Sequence, residues 1–315
     1  MRRLLGATLG LLLLAALPAS AQPRILNGFA PGGTADVLVR LLAEQTAGTF
    51  GQRAVVENRT GANGFIAAEA VARGPTDGSV VGLCVMGMMA VSPELPGARL
   101  PIEPRTDLAG VALVALSPYG LVVGAQSPHR SLADLLRASR VRAGAVSYAS
   151  VGVGSAPHLF GALLALRAGT EMVHVPYRGG APAVLDVVAG RADFLMISLG
   201  DVSQQLRSGE LRLLALGDER RLPGIPDAPN LSATLPGTEA YSWFALCGPH
   251  GITAEGRARW ERAVQAAQAD PAFQERLAQL GLVSLFEDGP ALDRRIEADR
   301  RKWGEVVRAA NIQAQ

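Results

Sequence analysis

A chain of 315 residues, 49% hydrophobic and 18% charged, suffices for one or two ordinary globular domains with a sizeable core. The formal charge is only +2, and Arg2 and Arg3 in a segment expected to be removed account for it, so the sequence pI of 8.8 gives no ground for nucleic-acid binding. Lys302 is the single lysine, which excludes a glycine-rich phosphate loop of the kind that ends in lysine.

Arg2 and Arg3 precede the apolar run Leu11 to Leu17 and the small-residue site Ala19-Ser20-Ala21. This is the pattern of a cleaved secretory signal peptide over residues 1–21, too short to span a bilayer, with the mature chain starting near Gln22. A strand is then expected over Arg24–Phe29, followed at once by Pro31-Gly32-Gly33 and a helix capped by Thr34 with Val37, Leu38, Leu41 and Leu42 on one face. Glycines let backbone approach a ligand closely, and a helix N-terminus offers unpaired N–H donors at the positive end of its dipole. The stretch therefore reads as an anion cradle.

Further strands are expected at Ala54–Glu57, Val80–Val85, Val111–Leu116 and Gly120–Val123. Near Ala125–His129, where Val123 hands over to Gln-Ser-Pro-His, the chain is expected to leave one body for another, and a second crossing falls in the proline-rich segment Leu222–Gly237. Between the crossings lie strands Ala145–Tyr148, Glu171–Val175, Ala192–Ile197 and Arg212–Leu216, with a helix over His158–Leu166 and another from Pro182 to a stop at Gly190. A last strand, Ser242–Cys247, precedes a helix opened by Asp270-Pro271 and closed at Gly281. Strands alternating with helices imply an α/β fold with a mainly parallel sheet in each lobe. Two crossings imply lobe 1 from residues 22–124 plus 239–315 and lobe 2 from 125–238, a clamshell whose cleft would hold a ligand.

The insert repeats the opening device. In SYASVGVGSAPHLFGALLAL a strand ends near Ser150, Gly152-Val153-Gly154-Ser155 turns, and Ser155 is placed to cap the next helix. Two such ends facing across a cleft would grip one small anion by a hinge motion. A dinucleotide loop would need a third glycine where Pro157 stands. No GxSxG elbow occurs, the histidines at 129, 158, 174 and 250 lack metal-ligand spacing, and the Ser155–His158 pair has no third residue to orient a base. A secreted hydrolase is thus disfavoured, and neither cofactor nor metal is expected. Cys84 and Cys247 both lie in apolar runs, where buried thiols and a disulfide both stay open.

Several segments together resemble Bug-type, or TctC-like, solute-binding receptors of bacterial tripartite tricarboxylate transporters. They are FAPGGTAD, ENRTGANG, PTDG, SYASVGVGSAPHL, VHVPYRGGAPA and SWFAL, in order along nearly the whole mature chain. The resemblance implies a periplasmic, two-lobe Venus-flytrap protein, not an enzyme, that binds a small organic carboxylate between its two glycine turns. Its partners would be a large and a small integral membrane subunit, with no nucleic acid and with the receptor a monomer. A sensor acting on a membrane histidine kinase would use the same fold and cleft.

Carried over by residue, the ligand site comprises Pro31, Gly32, Gly33, Thr34 and Asp36 from the first lobe, with Asp36 read as a loop organiser. The second lobe supplies Ser150, Gly152, Gly154, Ser155, His158, Tyr177 and Arg178. Members of the family often carry an acid and an amide where this chain has Ile197 and Ser198, which argues against an ammonium-bearing ligand. The run Met86-Gly87-Met88-Met89 is apolar where relatives tend to be polar; taken as core or as an adaptable pocket wall, it favours a monocarboxylate or aromatic acid over citrate.

Overall fold

The computed structural model describes residues 22–314, so the expected signal peptide lies outside the described residues. Ten strands follow in chain order: β1 (Arg24–Asn27), β2 (Val55–Asn58), β3 (Val80–Val85), β4 (Leu108–Gly124), β5 (Ser147–Ser150), β6 (Val173–Pro176), β7 (Phe194–Ser198), β8 (Leu211–Leu216), β9 (Tyr241–Pro249) and β10 (Val283–Asp288). The principal helices are α1 (Thr34–Gln45), α2 (Ala156–Ala168), α3 (Gly180–Val188), α4 (Ala254–Ala269), α5 (Pro271–Gln279) and α6 (Gly289–Ala309).

The strands form a mixed, curled sheet in the order β2-β1-β3-β9-β4-β7-β5-β6, with β8 and β10 also pairing β4. The pairs β1/β2, β1/β3, β5/β6 and β5/β7 are parallel, and helices connect β1 to β2, β2 to β3, β5 to β6 and β6 to β7 in turn. Every pairing to β4 is antiparallel, as is β3/β9. The α/β two-lobe reading holds, but its sheets are parallel only towards their outer edges. The alternating β–α pattern dictates parallel neighbours only within a β–α–β unit; the strands that carry the chain between halves meet head to tail.

Two expected strands, Val111–Leu116 and Gly120–Val123, are one 17-residue strand, β4. It pairs with β9 over Leu108–Pro118 and with β7 from Tyr119 onward. The chain therefore changes partners without a break at Ser117–Tyr119, and the expected boundary after Gly124 is not marked by the end of pairing between halves. Strand β10 escaped the sequence reading because Val-Ser-Leu-Phe-Glu-Asp is short and ends in acids.

One hydrophobic cluster runs through both halves. Trp303 of α6 packs on Phe160 of α2 with ring centroids 5.3 Å apart, and Tyr119 of β4 meets the same Phe160 edge-on at 4.8 Å. The last helix thus braces the two halves behind the crossing strands. A further close contact sits on the other side of β4, where a Cβ on Gly281 would fall 2.2 Å from the Gly200 Cα.

Cys84 and Cys247 lie on neighbouring strands, but Cys84 stands opposite Ala245 and Cys247 opposite Gly82. That is a diagonal placement and not the directly opposed pair, and the two thiols face one another as neighbours without a bond. Both are buried thiols, and burial among apolar groups raises the Cys247 pKa. Thiol titration of the denatured protein should find two free cysteines; none would show that the strands had shifted to permit a bond.

Candidate functional site

The first glycine turn is organised by a carboxylate beneath it. Asp36, in the first turn of α1, is 3% exposed. Its Oδ2 accepts the Gly32 N–H and the Arg40 Nε–H, both at 2.9 Å, and its Oδ1 accepts from Asn58 Nδ2 at 2.8 Å. Asn58 Nδ2 also reaches the Phe29 carbonyl at 3.1 Å, and Asn27 Oδ1 accepts the Phe29 N–H at 3.2 Å. The Arg40 bond, with help from Gly32 and Asn58, lowers the Asp36 pKa to about 2. Asp36 is therefore ionised and fully engaged within the loop, while Pro31, Gly32 and Gly33 are exposed above it.

Thr34 does not cap the helix as expected. Gly33 occupies the cap position without a side-chain bond, and Thr34 opens α1. The buried Asp36 carboxylate instead reaches back to the Gly32 N–H ahead of the cap, which fixes the turn and leaves the first-turn N–H groups uncapped. The first internal bond of α1 runs from the Val37 N–H to the Gly33 carbonyl at 3.0 Å. The N–H groups of Thr34, Ala35 and Asp36 thus have no acceptor within the helix.

Behind this turn the backbone is closely stacked. A Cβ on Gly28 would lie 2.4 Å from the Gly64 Cα, and one on Gly64 would lie 3.6 Å from the Met88 sulfur. Met86, Met88 and Met89 are all at most 2% exposed. They are core beneath the turn and not an open pocket wall, so the reason for favouring an aromatic ligand falls away.

The second turn has a parallel construction from different residues. Ser150, at the end of β5, accepts the Gly152 N–H at 3.1 Å on its hydroxyl, and His158 Nδ1 accepts the Gly154 N–H at 3.1 Å. Gly152 and Gly154 take φ values of 135° and 75°, a region in which side chains other than glycine's are strained. Ser155 does stand at the helix cap, but its hydroxyl turns back to the Gly152 carbonyl at 2.6 Å instead of capping. With Ser155 and His158 each bonded to the loop and not to one another, no nucleophile–base pair forms. The first internal bond of α2 is Leu159 N–H to Ser155 carbonyl at 3.0 Å, which leaves the N–H groups of Ala156 and His158 without a helical acceptor.

The remaining expected residues fall in three places. Tyr177 lies beside the second turn, its N–H on the Ser150 carbonyl at 3.0 Å, but its hydroxyl donates to Asp186 at 2.7 Å, and Asp186 in turn pairs with Arg191. Arg178 is exposed and forms no ion pair among the described residues. Ser198 is buried at the crossing, its hydroxyl 2.9 Å from that of Ser117. The sequence reading missed Asn58, which sits in the quoted ENRTG motif, and His174, in VHVPY; both are polar residues beside a glycine turn. It also missed Leu95, whose Cδ1 would lie 3.0 Å from a Cβ on Gly154, so that the second turn rests against a loop following β3 in the other half. Nothing in the local sequence signals that contact.

Both turns stand at the carboxyl ends of parallel strands, the usual ligand position in α/β sheets. Groups of three or more metal-binding side chains are absent among the described residues, as is any helix long and apolar enough to cross a membrane.

The sequence profile described as "Tripartite tricarboxylate transporter family receptor" matches residues 38–312. A protein encoded in the tcbD-tcbE intergenic region of Pseudomonas sp. (strain P51) is 34% identical over 281 residues, 89% of this chain and 83% of that protein. Among solved structures, R. palustris Rpa4515 with adipate is 31% identical with a TM-score of 0.77, covering 93% of this chain and 98% of its own. The periplasmic binding protein BugD is 30% identical with a TM-score of 0.74, covering 93% and 99%.

Proposed function

The chain belongs to the tripartite tricarboxylate transporter receptor family, and from that premise we propose that it captures a small organic carboxylate between its two glycine turns. It is a solute-binding protein and not an enzyme. The observation that carries the carboxylate assignment is the matched pair of turns. Each feeds a helix whose first N–H groups lack internal acceptors, and each is held in shape by a buried side chain that leaves those groups available.

Each helix end carries roughly half a positive charge, so an anion bridging both gains from two dipoles without any cationic side chain. Waters can complete the contacts where the backbone does not reach. Arg178, exposed beside the second turn, is free to meet a second carboxylate. Rpa4515 holds adipate, which makes an aliphatic dicarboxylate the first probe for this chain. Release of residues 1–21 would leave a periplasmic monomer that delivers its ligand to a large and a small integral subunit.

Thermal unfolding of Gln22–Gln315 against monocarboxylates, adipate, citrate, amino acids and sugars tests the class. At 100 times its dissociation constant a ligand stabilises by ~2.7 kcal/mol, a shift of several degrees in a chain of this size. Stabilisation confined to carboxylates is expected; stabilisation by sugars or amines alone would overturn the assignment.

A further inference from the structure

The second glycine turn is held from behind by two histidines. His158, in the first turn of α2, is 6% exposed and takes the Gly154 N–H on Nδ1. His174 of β6 lies flat against it, with ring centroids 3.7 Å apart and planes 4° from parallel. The His174 Nε2 is 2.7 Å from the Ser150 hydroxyl, the same hydroxyl that accepts the Gly152 N–H. Tyr148 of β5 stacks on the far side of this set, 5.1 Å from the His174 ring. Two of the turn's backbone N–H groups are thus fixed by side chains that end in one stacked pair.

A ring nitrogen that accepts a hydrogen bond carries no proton, so neutral His158 is the tautomer protonated at Nε2. Adding a second proton places hydrogen on Nδ1, donor against the Gly154 donor. Two imidazolium rings stacked this closely would also repel one another. Burial favours the neutral rings and lowers each pKa to about 4, with the His174 charge a further cause at His158. A cavity lined by Tyr148 from β5, Glu171 ahead of β6, and the uncharged Asn311 and Gln313 of the C-terminal tail runs beside both rings. Glu171 is the one carboxylate in that lining, and the cavity gives protons a route to the pair.

We propose that His158 and His174 are positioning residues that hold the second glycine turn in its ligand-gripping shape and let it go, with the ligand, when the pair takes up a proton in acid. The proposal rests on the assignment of that turn to the ligand site. Because the neutral rings support the gripping shape, affinity is full at neutral pH and falls as the pH drops through the pair's titration range.

The test compares wild type with His158→Asn, whose side-chain oxygen can accept the Gly154 N–H but cannot titrate. Adipate affinity is measured at about pH 7.5 and about pH 3.5, below the pair's titration midpoint, with circular dichroism confirming that both proteins stay folded. The ratio of the two dissociation constants should be about fourfold larger in wild type. The ligand's own protonation is common to both proteins, so equal ratios would overturn the proposal. If adipate binds at neither pH, the carboxylate reading is what has failed, and a ligand-free readout still decides the pair. In wild type, protection of the Gly154 amide against hydrogen exchange, corrected for intrinsic rate, should drop about tenfold as the His158 ring titrates. Unchanged protection through that titration would overturn the proposal without reference to any ligand.

Discussion

Replacing Gly154 with valine is expected to raise the dissociation constant for the carboxylate by at least ~30-fold while the fold survives. Two effects add. The residue sits at φ 75°, where a β-branched side chain is strained by ~2 kcal/mol or more, and its Cβ would lie 3.0 Å from Leu95 Cδ1. The strand and helix on either side keep their packing, since Tyr148, Leu159 and Phe160 are all at most 4% exposed and far from needing the turn to stay buried. The variant should therefore unfold within a few degrees of wild type yet fail to hold ligand in a calorimetric titration. Unchanged affinity would remove the second turn from the binding site.

The other large effect is expected at Asp36→Ala. Its carboxylate serves the Gly32 N–H, Arg40 and Asn58 together, and truncation leaves the Asn58 amide and the Gly32 N–H without that partner beneath the turn. Loss of such a half-buried network costs ~2–4 kcal/mol, or roughly 5–10 °C in midpoint for a chain of this size. Ligand affinity should fall with it, because the first turn loses its support.

The penalty is also pH-dependent. The folded pKa of about 2 lies below the unfolded value, so the ionised carboxylate's contribution is complete above the unfolded pKa and is lost as pH falls towards the folded one. The stability gap between wild type and Asp36→Ala should narrow in that window. A gap independent of acid, measured by denaturant midpoints, would mean that the carboxylate's charge contributes little.

Much of this construction was legible in the sequence, and the limits follow from physics. Glycine before a periodic apolar helix signals a turn, and both turns were found because Gly32-Gly33 and Gly152-Val153-Gly154 each precede such a pattern. The role of Asp36 as loop organiser was also readable, since an acid in the first turn of a helix has a backbone reason to be there. What could not be read was how each hydrogen-bonding group would be used. Thr34 and Ser155 looked like caps, but a buried carboxylate tied down one turn and the Gly152 carbonyl took the hydroxyl of the other.

The single strand β4 was read as two because Ser117-Pro118 resembles a break. Only the partners on either side, β9 and then β7, keep the strand continuous. Leu95 and His174 matter through contacts between segments distant in the chain, which no local pattern encodes.

The central claim is that one anion is held by both helix ends at once. Amide resonances of the 15N-labelled protein, followed while adipate or the best carboxylate from the thermal panel is added, test it most directly. The amides of Thr34 and Ala35 in α1 and those of Ala156 and His158 in α2 should shift together, along curves that give one dissociation constant. Shifts confined to one of the two helix ends, or absent from both while the ligand binds, would contradict the account.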